Sequence, residues 1–227
     1  MFESYYFTDA HCAPLQYLYK FQLFKCFNFV IFNEIAVTFT NIIYRGDYDM
    51  KIISKQFLDN YNNEDYVWYA CYGSNINYER FMYYINGDIN GKYSTINGCN
   101  DKSEPIEQRQ YIFKCPIYFA GNSKRWDGGG FAFLDYEHNG KSYGKIYKLK
   151  MSQFRGVLEQ EQRCKLYDAI LLVDYVEDLP VFTFTAKHKL YNLLQEPSIQ
   201  YTDVIEKGLL SLYDNLDINQ IKNYLKN

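Results

Sequence analysis

Apolar runs separated by short polar breaks divide this chain into a series of strand and helix candidates. The run "YVWYACY" at 66–72 is aromatic-rich and ends at Gly73, a pattern typical of a buried strand. Behind it, apolar residues recur at helical spacing over 81–85, and Asn77 is a residue type preferred at helix N-caps. The pattern therefore predicts a buried strand, a short polar loop and then a helix.

The remaining apolar segments mix strands and helices in no regular alternation. Strand candidates are 111–122, 129–137, 140–150, 167–176 and 180–186, and helix candidates are 152–162, 199–213 and 217–226. The turn sequence "HNG" predicts that 129–137 and 140–150 form a hairpin, and Ser152 is the expected N-cap of the helix behind them. Residues 86–108, rich in Gly, Asn and Ser, predict a long loop. This order of elements indicates the α+β class.

With 227 residues, the chain is expected to form one domain with an appendage. We predict an apolar N-terminal extension at 1–60, a folded domain at 65–213 and a C-terminal helix within 214–227. The segment 21–45 is broken by charged and Asn residues, so it falls short of a membrane span, and no signal-cleavage site follows it. All recognisable organisation begins after Met50, which makes this residue a candidate for the natural start.

The net charge of the chain and the spacing of its Cys and His residues exclude some classes of function. A formal net charge of -3 without a Lys/Arg-rich run argues against nucleic acid as a partner. The six cysteines include no CxxC pair and the three histidines are far apart, so no metal site of ordinary spacing is expected. Isolated thiols suit a reducing compartment, and we expect a cytoplasmic protein. The oligomeric state is not indicated.

The loop Gly73-Ser74-Asn75 is the first candidate site. At the entrance of a helix, backbone N–H groups and the helix dipole favour an anion. Glycine permits close backbone approach, and the two polar side chains add hydrogen bonds. The same three residues are also ordinary turn formers, so a purely structural role stays open.

The second candidate is Glu161, on the predicted helix at 152–162. With about 3.6 residues per turn, Phe154, Val157 and Leu158 form an apolar stripe, and Glu161 falls within it. A carboxylate on a core-facing stripe loses hydration, which raises the pKa of such groups towards the range useful for a general base. The alternative is a helix that frays here and leaves Glu161 in solvent.

Five ordered segments resemble the gamma-glutamylcyclotransferase-like family over roughly 66–209. They are Tyr-Gly-Ser-Asn at 72–75, "FAGNSKRWDGGGFAF" at 119–133, "GKIYKL" at 144–149, "EQEQ" at 159–162 and "PSIQY" at 197–201. In this resemblance the family's catalytic glutamate falls on Glu161. Two departures are Gln162, where the family usually has Gly, and Cys71, where it often has Ala.

The resemblance implies a mixed, partly closed, β-barrel-like sheet with flanking helices. It also implies an enzyme of the acyltransferase or lyase type that converts a small gamma-glutamyl amide to 5-oxoproline and a free amine, with Glu161 as general acid/base. No metal or cofactor is implied. The residues implied for substrate binding are Tyr72, Gly73, Ser74, Asn75, Tyr201, Ser123 and Trp126.

For Tyr201, Ser123 and Trp126 a purely structural role is the alternative to substrate binding. Tyr201 lies on a helical face with Ile205 and Leu209, so it points inward either to the cavity or to a backbone partner in the core. Ser123 and Trp126 also fit a structural glycine-rich turn. For the whole protein, a non-catalytic binding or regulatory module of the same fold, or a related acyl-transfer step, competes with the cyclotransferase.

Overall fold

The computed structural model describes residues 50–88 and 97–226. The predicted extension up to residue 49 and part of the predicted loop at 86–108 lie outside the described residues. Within the described ranges the strands are β1 (Lys51–Ile53), β2 (Tyr66–Cys71), β3 (Glu107–Phe113), β4 (Ile117–Ala120), β5 (Phe131–Leu134), β6 (Ser142–Lys150), β7 (Ala169–Val176) and β8 (Leu179–Thr185). The α-helices are α1 (Tyr78–Asn86), α2 (Met151–Gln162), α3 (Ile199–Leu210) and α4 (Ile218–Tyr224).

Six strands form one mixed sheet in the order β1-β7-β8-β2-β6-β3, and β4 pairs with β5 in a second small sheet. Neighbours in the large sheet are antiparallel except for β2 and β8, which run parallel. The predicted α+β architecture with a mixed sheet is confirmed. The large sheet is open, however, with β1 and β3 at its two edges, rather than partly closed.

Strand β2 lies in the middle of this sheet because both of its faces are apolar. Every residue from Val67 to Cys71 is buried. Helices α1 and α2 pack on the face that carries Tyr69, where Phe81 of α1 and Phe154 of α2 both contact its ring. Burying one such phenylalanine fully contributes about 1.5–3 kcal/mol. These contacts hold the first turns of α1 and α2 against β2.

Three local predictions are wrong. The stretch 111–122 forms two strands, β3 and β4, in different sheets, and the break between them contains Pro116, which has no N–H to donate to a ladder. The expected hairpin of 129–137 with 140–150 does not form, because β5 pairs with β4 while β6 pairs with β2 and β3. The sheet also begins at Lys51–Ile53, so residues 50–60 do not form part of an extension.

The expected N-cap of α2 is also wrong. The helix follows β6 without a loop and begins at Met151. Its N-cap is Lys150, whose backbone N–H donates to Gln153 Oε1 at 3.1 Å. Ser152 lies inside the first turn, with its buried Oγ making no hydrogen bond in the described part of the chain.

Candidate active site

The loop between β2 and α1 is a short, well-defined turn. Gly73 is followed by a 3-10 turn at Ser74–Ile76, in which the Ile76 N–H donates to the Gly73 carbonyl at 3.0 Å. Helix α1 then starts after Asn77, whose side chain accepts a hydrogen bond from the Arg80 N–H at 3.0 Å. The predicted strand, loop and N-cap are therefore all present at this point of the fold.

Glycine is required at position 73 because the site is crowded there. A Cβ added to Gly73 would lie 2.7 Å from the hydroxyl of Tyr201 and 3.4 Å from Cβ of Ala132. The Tyr201 hydroxyl is held in this place by the backbone N–H of Ala132, which donates to it at 3.1 Å. Tyr201 is buried, as predicted, and its hydroxyl lies directly against the loop.

Glu161 lies in the last turn of α2, and the helix continues through Gln162. The stripe that predicted its orientation is buried, since Phe154, Val157 and Leu158 are each at most 3% exposed. Glu161 itself is half-buried, while Glu159 is exposed. Its carboxylate Oε1 accepts a hydrogen bond from Asn75 Nδ2 at 3.0 Å, so the end of the helix is joined to the loop.

Asn75 is the link between these two parts. It is 4% exposed, and its Nδ2 also donates to the hydroxyl of Tyr69 at 3.1 Å. Because a carboxylate only accepts hydrogen bonds, the amide nitrogen must be the atom that faces Glu161. Asn75 Oδ1 is then left buried, without a hydrogen-bond partner among the described residues. A buried acceptor of this kind carries a desolvation penalty that a ligand N–H would relieve.

Around this link lies a cavity of about 710 Å³. All the site residues that the sequence predicted line it, namely Tyr72, Gly73, Ser74, Asn75, Ser123, Trp126, Glu161 and Tyr201. Four separate segments of the chain thus meet at one concave surface. The loop at 73–75 and Glu161, in particular, face a common space.

Some of these residues also have structural roles. The Tyr72 hydroxyl donates to the backbone carbonyl of Phe184 at 2.6 Å, which anchors the ring. Ser123 accepts hydrogen bonds through its carbonyl from the N–H groups of Trp126 and Gly128, both at 2.9 Å. The glycine-rich turn predicted there is present, and the same turn presents Ser123 and Trp126 to the cavity.

Buried tyrosine hydroxyls surround the carboxylate. Burial raises the pKa of Tyr201 to about 12 and that of Tyr69 well above its ordinary value. The pKa of Tyr84 is raised by burial first and then by the adjacent Glu161 carboxylate. At neutral pH these groups stay protonated, so they act as neutral hydrogen-bonding partners around one carboxylate.

Four cationic residues of the cavity lining were missed by the sequence predictions. They are Arg80, Lys124, Arg125 and Arg163. Arg80 is buried, its guanidinium donates to the Tyr84 hydroxyl at 3.2 Å, and it lies 4.7 Å from the centre of the Tyr84 ring. A sequence signal existed for Arg80, because it lies four residues before Tyr84 on the predicted helix and so shares its face.

Two kinds of feature are absent from the described residues. No cluster of three or more His, Cys, Asp or Glu side chains that could hold a metal ion occurs within 50–88 and 97–226. Across the same ranges no helix has the length and apolar character needed to span a membrane.

No known protein-family profile matches this chain. Among curated proteins, a segment of 124 residues, 53% of this chain, is 35% identical to part of histone deacetylase 5 from Arabidopsis thaliana. The match spans only 17% of the length of that protein.

Solved structures share the fold. YkqA from Bacillus subtilis superposes with a TM-score of 0.50 at 17% identity, over 75% of this chain and 56% of that chain. A gamma-glutamyl cyclotransferase gives a TM-score of 0.49 at 15% identity, over 70% of this chain and 86% of that chain. At such identities the likeness concerns the fold alone. Over its described residues this chain shares the fold of YkqA.

Proposed function

We propose that this protein is a gamma-glutamyl cyclotransferase-type enzyme that converts a gamma-glutamyl amide to 5-oxoproline and a free amine or amino acid. One observation carries the proposal. The Glu161 carboxylate and the loop at 73–75 line the same cavity and are joined by the 3.0 Å hydrogen bond from Asn75. A proton acceptor and a set of hydrogen-bond donors thus face one space in which a small substrate fits.

Glu161 is the general acid/base of this reaction. The α-ammonium of the substrate first transfers a proton to Glu161, and the freed amine attacks the γ-carbonyl carbon. A carbon–nitrogen bond forms, which closes the five-membered ring, and the carbonyl oxygen becomes an oxyanion. When the oxyanion collapses, the bond to the leaving nitrogen breaks, and Glu161 returns its proton to that nitrogen. Glu161 then takes the second proton from the ring nitrogen, which leaves the lactam N–H of 5-oxoproline, and passes it to the released amine, which departs as an ammonium.

The substrate's nitrogen is oriented by Asn75. Its buried Oδ1 accepts a hydrogen bond from the α-amine, while its Nδ2 holds the carboxylate that receives the proton. Held this way, the amine and its base start within one hydrogen-bond length of each other, which lowers the entropic part of the barrier. The substrate amine thereby supplies the hydrogen bond that Asn75 Oδ1 lacks among the described residues.

The loop at 73–75 binds negative charge. Its backbone N–H groups hold either the α-carboxylate of the substrate or the developing oxyanion, and pre-arranged donors of this kind stabilise charge without reorganising. The absence of a side chain at Gly73 lets the substrate approach the backbone closely. Tyr201 keeps the loop in place through the contact of its hydroxyl with Gly73.

An enzyme accounts for Glu161 better than a binding module does. A half-buried carboxylate in a cavity is unfavourable for folding unless it is paired or used, and a scaffold that only binds gains nothing from it. Among the described lining residues Glu161 is the one carboxylate, so no second acid shares its role.

The test is 5-oxoproline release from a panel of gamma-glutamyl amino acids, gamma-glutamyl amines and glutathione. We expect at least one substrate to yield 5-oxoproline, and Glu161→Gln to remove that product while the folded protein persists. If no member of the panel reacts but ligands raise the melting temperature, the cyclotransferase is wrong and the binding module is correct.

A further inference from the structure

Positive charge dominates the described lining of the cavity. Arg80, Lys124, Arg125 and Arg163 line it, whereas Glu161 is the only carboxylate among its described residues. Over the whole chain, by contrast, acidic residues are in excess, with 27 Asp and Glu against 24 Lys and Arg. The cations are therefore concentrated at this site against the overall charge of the protein.

The cations occupy two levels of the cavity. Arg80 is 3% exposed and lies at the floor, between the rings of Tyr84 at 4.7 Å and Trp126 at 5.9 Å. Lys124, Arg125 and Arg163 are exposed and mark the mouth. Lys124 and Arg125 come from the 3-10 turn at Lys124–Trp126, and Arg163 is the C-cap of α2, two residues after Glu161.

The gamma-glutamyl half of a substrate does not account for this charge. Of the two arrangements proposed above, we take the one in which its α-carboxylate lies at the loop 73–75 and its α-amine lies between Asn75 and Glu161. The portion that leaves extends from the γ-carbonyl towards the mouth, where three cations lie. This cluster of positive charge attracts a leaving group with several negative charges more strongly than one with a single carboxylate.

We infer that the leaving group carries two or more negative charges, as an acidic amino acid or a phosphorylated one does. This inference rests on the proposed function and names the substrate class of the same site. Arginine binds carboxylate and phosphate groups in a fork geometry, and a concave, aromatic-walled site focuses the field of its charges. The exposed cations act mainly by attracting the substrate, so their effect weakens with salt.

The experiment compares substrates that differ in charge but hardly in shape. The first pair is gamma-glutamyl-glutamate against gamma-glutamyl-glutamine, and the second is gamma-glutamyl-phosphoserine against gamma-glutamyl-serine. At low ionic strength we expect kcat/KM to be about tenfold or more higher for the charged member, the factor that corresponds to 1.4 kcal/mol. The two pairs separate a preference for a carboxylate from one for a phosphate.

Two double variants assign the effect to the mouth. Lys124→Gln with Arg125→Gln should bring the ratio within a pair close to one, and added salt should do the same in the unmodified protein. Lys207→Gln with Lys222→Gln removes the same charge from exposed positions on α3 and α4, and should leave the ratio unchanged.

The outcomes separate this inference from the proposed function. Release of 5-oxoproline at equal kcat/KM within both pairs would overturn the inference and leave the cyclotransferase standing. A charge preference that the Lys124→Gln, Arg125→Gln double variant does not change would also overturn it. Absence of 5-oxoproline from all four substrates would contradict the proposed function and, with it, the inference.

Discussion

Asn75 is the residue on which the geometry of the site depends most, because its single amide joins the loop to the helix that carries Glu161. Its Nδ2 holds Glu161 and Tyr69, and its backbone carbonyl accepts from the Tyr147 hydroxyl at 2.9 Å. The loop is therefore fixed from both sides. Proton transfer in the proposed reaction requires this placement to within a hydrogen-bond length.

Asn75→Asp changes one atom of this link and should reduce kcat/KM about a hundredfold, as the loss of one pre-arranged donor does elsewhere. An oxygen replaces the donor that faces Glu161, so two carboxylates repel each other across 3.0 Å. The kinetics of 5-oxoproline release measure the loss. Asn219→Asp, at an exposed position, is the matched control. Activity close to that of the unmodified protein would show that Asn75 does not position the base.

Gly73→Ala tests the close approach between the loop and Tyr201. The added Cβ would lie 2.7 Å from the tyrosine hydroxyl, and overpacking of this kind typically costs about 1–3 kcal/mol. We expect a lower melting temperature and lower activity. Adding Tyr201→Phe removes the clashing oxygen and should recover part of both. If the double variant is no more stable than Gly73→Ala alone, the clash is not the cause.

Among the elements, helix α2 shows where prediction and structure differ, because Ser152 was the expected N-cap and Lys150 is the observed one. Gln153 is 1% exposed, accepts from the Lys150 N–H and donates to the Ser103 carbonyl at 2.7 Å. Gln153→Leu leaves both backbone groups unpaired and should lower the free energy of unfolding by about 1–3 kcal/mol. Ser152→Ala should change it by less than about 0.5 kcal/mol, because the hydroxyl makes no described hydrogen bond. Urea denaturation measures both, and a larger loss from Ser152→Ala would contradict the assignment.

The sequence predicted an element correctly where interactions between neighbouring residues determine that element. Strand β2 and the Asn77 cap follow from a buried apolar run and from one side-chain hydrogen bond. Pairing between strands depends on distant partners, so the turn signal "HNG" was misleading. Strand β6 is nine residues long and is paired on both sides, by β2 and β3, which leaves no edge for β5.

The sequence likewise predicted only part of the candidate site. Glu161 and the loop at 72–75 carry their signals in a helical stripe and in a motif, and both proved to line the cavity. The cations at the mouth carry no such signal, because Lys124 and Arg163 are ordinary surface residues until the fold brings their segments together. Tyr69 was assigned to the core, and only the structure places its hydroxyl next to Asn75.

At the scale of the whole molecule, buried phenols and thiols make stability sensitive to alkaline pH. Burial raises the pKa of Tyr201 from 10.0 to about 12 and that of Cys71 from 9.0 to about 12. Groups with a raised pKa in the folded state stabilise it below their unfolded pKa, and this stabilisation is lost as the pH rises through the folded pKa. The free energy of unfolding should therefore fall from about pH 9 upwards, even though burial lowers the pKa of Lys145, which acts in the opposite direction.

Tyr167→Phe measures how much one buried phenol contributes to the pH dependence of the free energy of unfolding. Tyr167 is 8% exposed, and burial raises its pKa well above its ordinary value. Its removal should make the fall above pH 10 shallower by up to about 1.4 kcal/mol per pH unit. Tyr191→Phe, at a position that is 64% exposed, should leave the slope unchanged. Equal slopes for both variants, measured by urea denaturation, would contradict the burial argument.

The fold brings the Glu161 carboxylate, the Asn75 amide and the loop at 73–75 to a single cavity, where we propose that Glu161 performs the proton transfers. Helix α2 provides its own control, since Glu159 lies on the same turn but is exposed. The most direct measurement is the rate of 5-oxoproline release by Glu161→Gln and Glu159→Gln with the best substrate of the panel. Our account predicts loss of product in Glu161→Gln and an unchanged rate in Glu159→Gln. Equal rates in the two variants would contradict it.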